Sequence, residues 1–173
     1  MGARDGGCTI VTNKAADMTT TDMATTGTTN LRIPASNLAG FVVRAFVAAG
    51  LRTADARIVA DLMVEADLRG SDTHGVIRLP LYVRRLRAGG INASPNIRVI
   101  SERASTALID GDNGMGHLVM RRAAELAIEK AKATGIGWVG AHMSNHAGPA
   151  ALYVTRSIMP RWPGRYWSPC LFP

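Results

Sequence analysis

The chain has 173 residues with 47% hydrophobic content, enough for one globular domain plus tails. Its two cysteines, Cys8 and Cys170, exclude a disulfide framework and fit a reducing cytoplasm. The net charge is +7, but the basic residues lack interleaved aromatics, and no apolar run is long enough to span a bilayer, so neither a nucleic-acid nor a membrane partner is expected.

Residues 1–30 are rich in Thr, Ala and Gly and lack the apolar core of a secretory signal. They read as a disordered leader, with Met18 and Met23 as alternative starts. Ser36 is placed to cap a first helix whose apolar face carries Leu38, Phe41, Val42, Phe46 and Val47, stopped by Gly50. Thr53 is placed to cap a second helix bearing Ile58, Val59, Leu62, Met63 and Ala66. A third carries Leu79, Tyr82, Val83 and Leu86, with Pro80 in its first turn and Gly89-Gly90 at its end. Residues 97–100 alternate as a strand, and residues 106–110 read as the hairpin partner. A glycine-rich loop over 111–116 leads into a helix over 117–133, with Met120, Ala124, Ala127 and Ala131 on one face and an Arg121–Glu125 pair. Gly135 terminates it, and residues 136–141 read as a short buried strand.

Between the second and third helices lies Ser71-Asp72-Thr73-His74-Gly75-Val76-Ile77-Arg78. If a helix begins near Gly75, His74 and Arg78 reach one small volume. An arginine there can grip a carboxylate with two parallel hydrogen bonds. A histidine beside it can exchange a proton near neutral pH. The bland alternative is a capping histidine and a solvated arginine. A second histidine, His146, lies on the loop past the last strand, within His142-Met143-Ser144-Asn145-His146-Ala147-Gly148. Loops fixed by a strand end are common places for chemistry.

Three other patterns are discounted. Gly135-Ile136-Gly137-Trp138-Val139-Gly140 matches G-x-G-x-x-G, but it ends a helix where a dinucleotide fingerprint must open one. His142 and His146 have zinc-ligand spacing, but Met143 stands where the hydrolase motif needs Glu, so no metal is expected. The 111–116 loop is placed to cradle a phosphate, yet Asp112 would repel it; a connection packed under the site is favoured. His117 and His142 are assigned no role.

Taken in order, the Thr73-His74 segment, the Asp110–His117 run and the His146 loop resemble the malate/L-lactate dehydrogenase family of the second type. That family includes ureidoglycolate dehydrogenase, sulfolactate dehydrogenase and piperideine-2-carboxylate reductase. The likeness covers residues 31–154. It implies an α/β (α+β-like) fold that is not a Rossmann fold: a helical segment, then strands and helices. It implies reversible hydride transfer between NAD or NADP and a small 2-oxo or 2-hydroxy acid, in a homodimer. The family's Ser-His-Gly signature falls on Thr73, His74 and Gly75, its carboxylate arginine on Arg78, and its second histidine on His146, with Gly148 following. Thr73 departs from the family's serine but keeps the hydroxyl. Cofactor-binding residues cannot be carried over.

The stretch 155–173 is unlike the family. It holds half the prolines and two of three tryptophans, and no acidic residue follows Glu129. The expectation is a reading frame lost near Thr155 or Arg156, and a product without catalysis. The alternatives are thus an oxidoreductase, an inactive fragment, or a binding-only module that keeps the carboxylate site.

Overall fold

The computed structural model describes residues 10–11 and 32–157. The expected leader lies outside the described residues except for Ile10–Val11, and the expected aberrant tail does so after residue 157. Strand β1 (Ile10–Val11) pairs antiparallel with β2 (Arg32–Ile33).

Helix α1 (Ala35–Ala48) starts directly after Pro34. Pro34 is extended, at φ −55° and ψ 134°, and its carbonyl accepts the Asn37 and Leu38 N–H groups. Proline is fixed in φ and needs no N–H here, so it takes the cap position itself. The expected Ser36 cap is therefore displaced into the first turn. The same correction applies to α2 (Thr53–Leu68): Arg52 is the extended cap residue and Thr53 is already helical. Arg52 instead binds the Asp55 carboxylate at 2.6 Å, closing the first turn with an ion pair. Gly50 ends α1 at φ +99°, a left-handed value that costs glycine little.

The expected face of α1 is only half used. Val42 and Phe46 are fully buried, whereas Phe41 and Val47 are exposed. α2 is the central helix, burying Ala56, Val59, Ala60, Leu62, Met63, Val64 and Ala66. α3 (Leu79–Arg87) carries Pro80 in its first turn, as expected, and buries Leu79, Tyr82 and Leu86. These three helices close a first core with Leu51, Ile91, Met115 and Leu118.

The chain then forms β3 (Arg98–Glu102) and β4 (Thr106–Gly114), an antiparallel hairpin with an irregularity at Ile100. Helix α4 (Gly116–Thr134) crosses to β5 (Trp138–Ser144), which pairs parallel with β4. The order β3-β4-β5 is thus a small mixed sheet, and the architecture is the expected α/β. Helix α5 (Ala151–Ser157) packs through Leu152 and Tyr153 against Leu62 and Ala66 of α2.

Three expectations about this half change. The glycine-rich segment is mostly strand, since β4 runs to Gly114 before Met115 caps α4. β4 bends there through Asp112 and Asn113, both left-handed. The core stripe of α4 is Val119, Ala123 and Leu126, packed on Ala107 and Ile109 of β4. Met120 and Ala124, of the expected face, pack on the α5 side, one position round the helix from that core stripe. β5 is not buried: Trp138 and Met143 are exposed, because β5 pairs on one side only among the described residues. The Arg121–Glu125 pair forms at 2.8 Å, and Gly135 ends α4 at φ +84°. Lys130 is buried on the sheet side, where its ammonium donates to Glu102 and to the Arg103 carbonyl. No helix among the described residues is long and apolar enough to cross a membrane.

β5 approaches α4 at Gly137. A Cβ there would lie 2.0 Å from the Ala127 carbonyl oxygen, which is backbone and cannot swing away. Gly140 meets only a Leu108 methyl at 3.3 Å, the end of a flexible side chain. Gly137→Ala should therefore cost about 1–3 kcal/mol, and Gly140→Ala less than about 1 kcal/mol. Urea unfolding of the two variants checks this; equal losses would show that the α4–β5 contact is looser than described.

Candidate active site

α2 ends through Arg69 and Gly70, and the chain then makes two short 3₁₀ turns, Asp72–His74 and Val76–Arg78, on either side of Gly75. The expected helix start at Gly75 is thus corrected: α3 begins only at Leu79. Gly75 is required by close approach. A Cβ there would fall 1.7 Å from the Asp67 carboxylate oxygen. That carboxylate accepts the Val76 N–H at 2.9 Å and so pins the second turn to α2. Burial pushes the Asp67 carboxyl up, the Val76 N–H pulls it back, and nearby Asp72 pushes it up again.

The two turns fold Arg78 back over its own loop. Its Nε donates to the Thr73 carbonyl at 2.7 Å. The Thr73 hydroxyl lies 2.9 Å from His74 Nδ1. The guanidinium is therefore oriented by one of its nitrogens while the other two make no hydrogen bond among the described residues. Helical spacing does not bring His74 and Arg78 together; the 3₁₀ turns and the Thr73 carbonyl do.

His146 arrives from the other half of the fold. It follows β5, and Asn145 holds its loop. The Asn145 side-chain amide donates to the Asn113 carbonyl, the Asn113 side-chain oxygen and the Gly114 carbonyl at 2.9–3.0 Å. The loop lies directly on the start of α4, where a Cβ on Gly116 would be 1.9 Å from the Asn145 carbonyl oxygen. The glycine-rich segment is thus packed beneath the histidine loop. Asp112, within it, accepts from the Asn92 amide and the Asn96 N–H.

The His74 and His146 rings stack with centroids 5.4 Å apart and planes 29° apart. Tyr82, one turn past Arg78 on α3, places its hydroxyl 2.6 Å from His146 Nδ1. The Gly148 N–H also points at that nitrogen, at 3.3 Å. A backbone N–H can only donate, so Nδ1 is the acceptor and the neutral ring carries its proton on Nε2. Burial, opposed by Arg78 and Arg85, pushes the Tyr82 phenol up to about 12, so it remains a donor at neutral pH. His146 as a residue is exposed, yet its ring is packed between Tyr82 and His74. Partial burial, then Arg78, His74 and Arg85, push its pKa below the ordinary histidine value.

Behind Tyr82 sits His117, fully buried, edge-on to the phenol at 5.7 Å. Neither of its ring nitrogens has a hydrogen-bond partner among the described residues. Gly148 passes close over it; a Cβ would lie 3.1 Å from Nε2. His142 remains exposed on β5, and no group of three metal-ligating side chains occurs among the described residues.

All four residues expected at the site, Thr73, His74, Arg78 and His146, are therefore in one region. Sequence reading missed Tyr82, Asn145, Asp67 and His117. Tyr82 reads as an ordinary core residue of α3; its i+4 spacing from Arg78 was the available signal. His117 carried no signal beyond being a histidine.

The family model for malate/L-lactate dehydrogenase matches residues 33–159, and the chain belongs to that family. It is 52% identical over 123 residues to a malate dehydrogenase of Pyrococcus horikoshii, covering 71% of this chain and 34% of that protein. It is 46% identical over 104 residues to an L-sulfolactate dehydrogenase of Methanocaldococcus jannaschii, covering 60% of this chain and 30% of that protein. The solved structure of malate dehydrogenase from Pyrococcus horikoshii OT3 superposes with a TM-score of 0.71 at 51% identity, over 73% of this chain and 36% of that one. The chain spans about a third of the length of the curated relatives it matches.

Burial pushes His117 down to about 3, and the His146 charge adds to this. The unfolded chain binds a proton here below about pH 6.5, while the folded chain does not until near 3. The contribution of His117 is full above the unfolded value and is lost as pH falls toward the folded one, at up to about 1.4 kcal/mol per pH unit. His117→Phe should therefore flatten the loss of stability between about pH 6.5 and about pH 5, where ordinary carboxylates scarcely titrate. Urea midpoints across that range test it; an unchanged slope would mean that His117 titrates normally.

Proposed function

We propose that the chain carries the substrate-acid site of an NAD(P)-dependent oxidoreductase acting on a small 2-hydroxy or 2-oxo acid. The supporting observation is the meeting of His74, Arg78 and His146 with the Tyr82 hydroxyl on His146 Nδ1. The relatives named malate and sulfolactate dehydrogenase support the same acid class.

In this reading the two free guanidinium nitrogens of Arg78 take the substrate carboxylate, in the paired geometry that a lysine cannot reproduce. His74, with Thr73 on its Nδ1, orients the acid. His146 exchanges a proton through Nε2 with the oxygen at carbon 2, while Tyr82 and the Gly148 N–H hold Nδ1. In the free site partial burial, and after it the neighbouring cations, disfavour the imidazolium. A bound carboxylate offsets that field, so the histidine gains proton affinity when substrate is present.

A nicotinamide, when bound, supplies or accepts the hydride. The described residues do not fit its phosphates. The Gly111–Gly116 run is strand and cap, with the Asp112 carboxylate already engaged. Gly135 and Gly137 close a helix and back onto it. A homodimer is proposed on the family resemblance, and residence in a reducing cytoplasm on the cysteine content.

A second reading, a module that binds the carboxylate without the cofactor, is favoured by this same absence of a phosphate cradle among the described residues. NADH consumption with pyruvate or oxaloacetate supports the enzyme. Acid binding without any change in NADH fluorescence supports the module. Where turnover is measured, Arg78→Lys should raise KM for the acid with kcat less affected. His146→Ala should lower kcat by about a hundredfold or more and leave NADH affinity intact. A severe His74→Ala effect beside a mild His146→Ala effect would reverse the assigned roles.

A further inference from the structure

His146 Nδ1 is held by two donors that reach it from different elements: the Tyr82 hydroxyl from α3 and the Gly148 N–H from its own loop. Both donors rest on one side chain. The His117 ring stands against Tyr82 with centroids 5.7 Å apart and planes 85° apart. Gly148 lies over His117 Nε2, where a Cβ added to the glycine would come within 3.1 Å. The left-handed φ of Gly148, +74°, and its missing side chain let this backbone approach the ring.

His117 itself is firmly placed. It sits in the first turn of α4 and is fully buried. Its neighbour Gly116 carries the His146 loop, and its neighbour Leu118 enters the helical core. Its ring nitrogens have no hydrogen-bond partner among the described residues, so polar bonding does not account for a histidine there. Shape does: a flat, stiff ring gives Tyr82 and Gly148 a common wall. The ring also adds no charge beneath the site. Burial, then the nearby His146, disfavours its imidazolium, and a helix N-terminus does the same.

We propose that His117 is a positioning residue of this site: by packing against both Tyr82 and Gly148 it keeps two donors on His146 Nδ1 and so fixes the His146 proton on Nε2. The bearing of this on proton exchange rests on the acid-site reading above; the tautomer itself does not, and it is measured without substrate. Without the wall, the Tyr82 hydroxyl and the Gly148 N–H lose their aim at Nδ1. The two tautomers then approach each other in population. The imidazolium also forms more easily, because donors at Nδ1 favour the neutral ring. The charges that act on His146 are those of Arg78, His74 and Arg85, and replacing His117 removes none of them.

The experiment is long-range proton–nitrogen NMR of the histidine rings in the whole chain, which tells a protonated ring nitrogen from an unprotonated one. It is run at about pH 8, where an ordinary histidine is neutral. The unmodified chain should show an unprotonated His146 Nδ1, with NOEs from the His117 ring to the Tyr82 ring and to Gly148. His117→Ala should lower the ratio of the Nε2–H to the Nδ1–H form of His146 by about fivefold to thirtyfold, the worth of one to two net hydrogen bonds. The His146 ring should also titrate about one pH unit higher, the equivalent of a tenfold change. His117→Phe keeps a flat wall and should retain both values. Val119→Ala opens a hole on the same helix in the separate core under the sheet, and should leave both unchanged. Values unmoved by His117→Ala, moved as far by Val119→Ala, or lost equally in His117→Phe would each overturn the proposal. Should His117→Ala not fold, missing NOEs or a protonated Nδ1 in the unmodified chain would overturn it alone. If the tautomer behaves as expected but neither L-malate nor pyruvate moves the His146 resonances, the acid-site reading fails and the positioning role stands.

Discussion

The hydrogen bond between the Tyr82 hydroxyl and His146 Nδ1 joins two parts of the chain 64 residues apart. Tyr82 belongs to the helical part, locked into the core of α1, α2 and α3. His146 belongs to the loop that leaves the sheet. Net, such a bond contributes only about 1 kcal/mol to stability. Its larger effect is geometric: it determines which ring nitrogen carries the proton and which way that nitrogen faces. The proposed chemistry depends on that choice, because the nitrogen away from Tyr82 is the one left for an acid.

The bond forms only because both parts are held at the right depth. On one side Asp67 takes the Val76 N–H, and Gly75 leaves room for that carboxylate. On the other, Asn145 spends its amide on Asn113 and Gly114, and Gly116 lets the loop lie on the helix start. Met115 and Leu118 carry the contact between the parts, since they leave the sheet and enter the helical core. The cost is concentrated in His117, buried beneath this junction with both nitrogens unpartnered among the described residues. A buried unsatisfied polar group costs about 1–3 kcal/mol. Such tension near a functional cluster is where local rules of folding are commonly broken.

Much of the chain's local structure was legible because local physics decides it. The three-and-four spacing of apolar residues marked α2 and α3, and the left-handed glycines Gly50 and Gly135 ended their helices where expected. The hairpin of β3 and β4 followed from alternation. The errors came where a neighbour outranks the residue itself. Pro34 and Arg52 took the cap positions from Ser36 and Thr53 by adopting extended backbone. The face of α4 was misjudged because two surfaces, the sheet and α5, compete for it. β5 read as buried from its apolar content, yet burial depends on what covers a strand, and one edge of β5 has no strand beside it among the described residues.

By itself the sequence determined α1 to α4, the hairpin and the order of the motifs, each of which depends on residue type and near-neighbour spacing; the candidate set Thr73, His74, Arg78 and His146 came from the family resemblance those motifs carry. Only the tertiary structure decided that His74 stacks on His146, that Tyr82 holds His146, and that His117 is stranded beneath them. Those relations join residues far apart in sequence. They are settled by how α3 and the loop after β5 pack around Met115 and Leu118, and no local pattern records that.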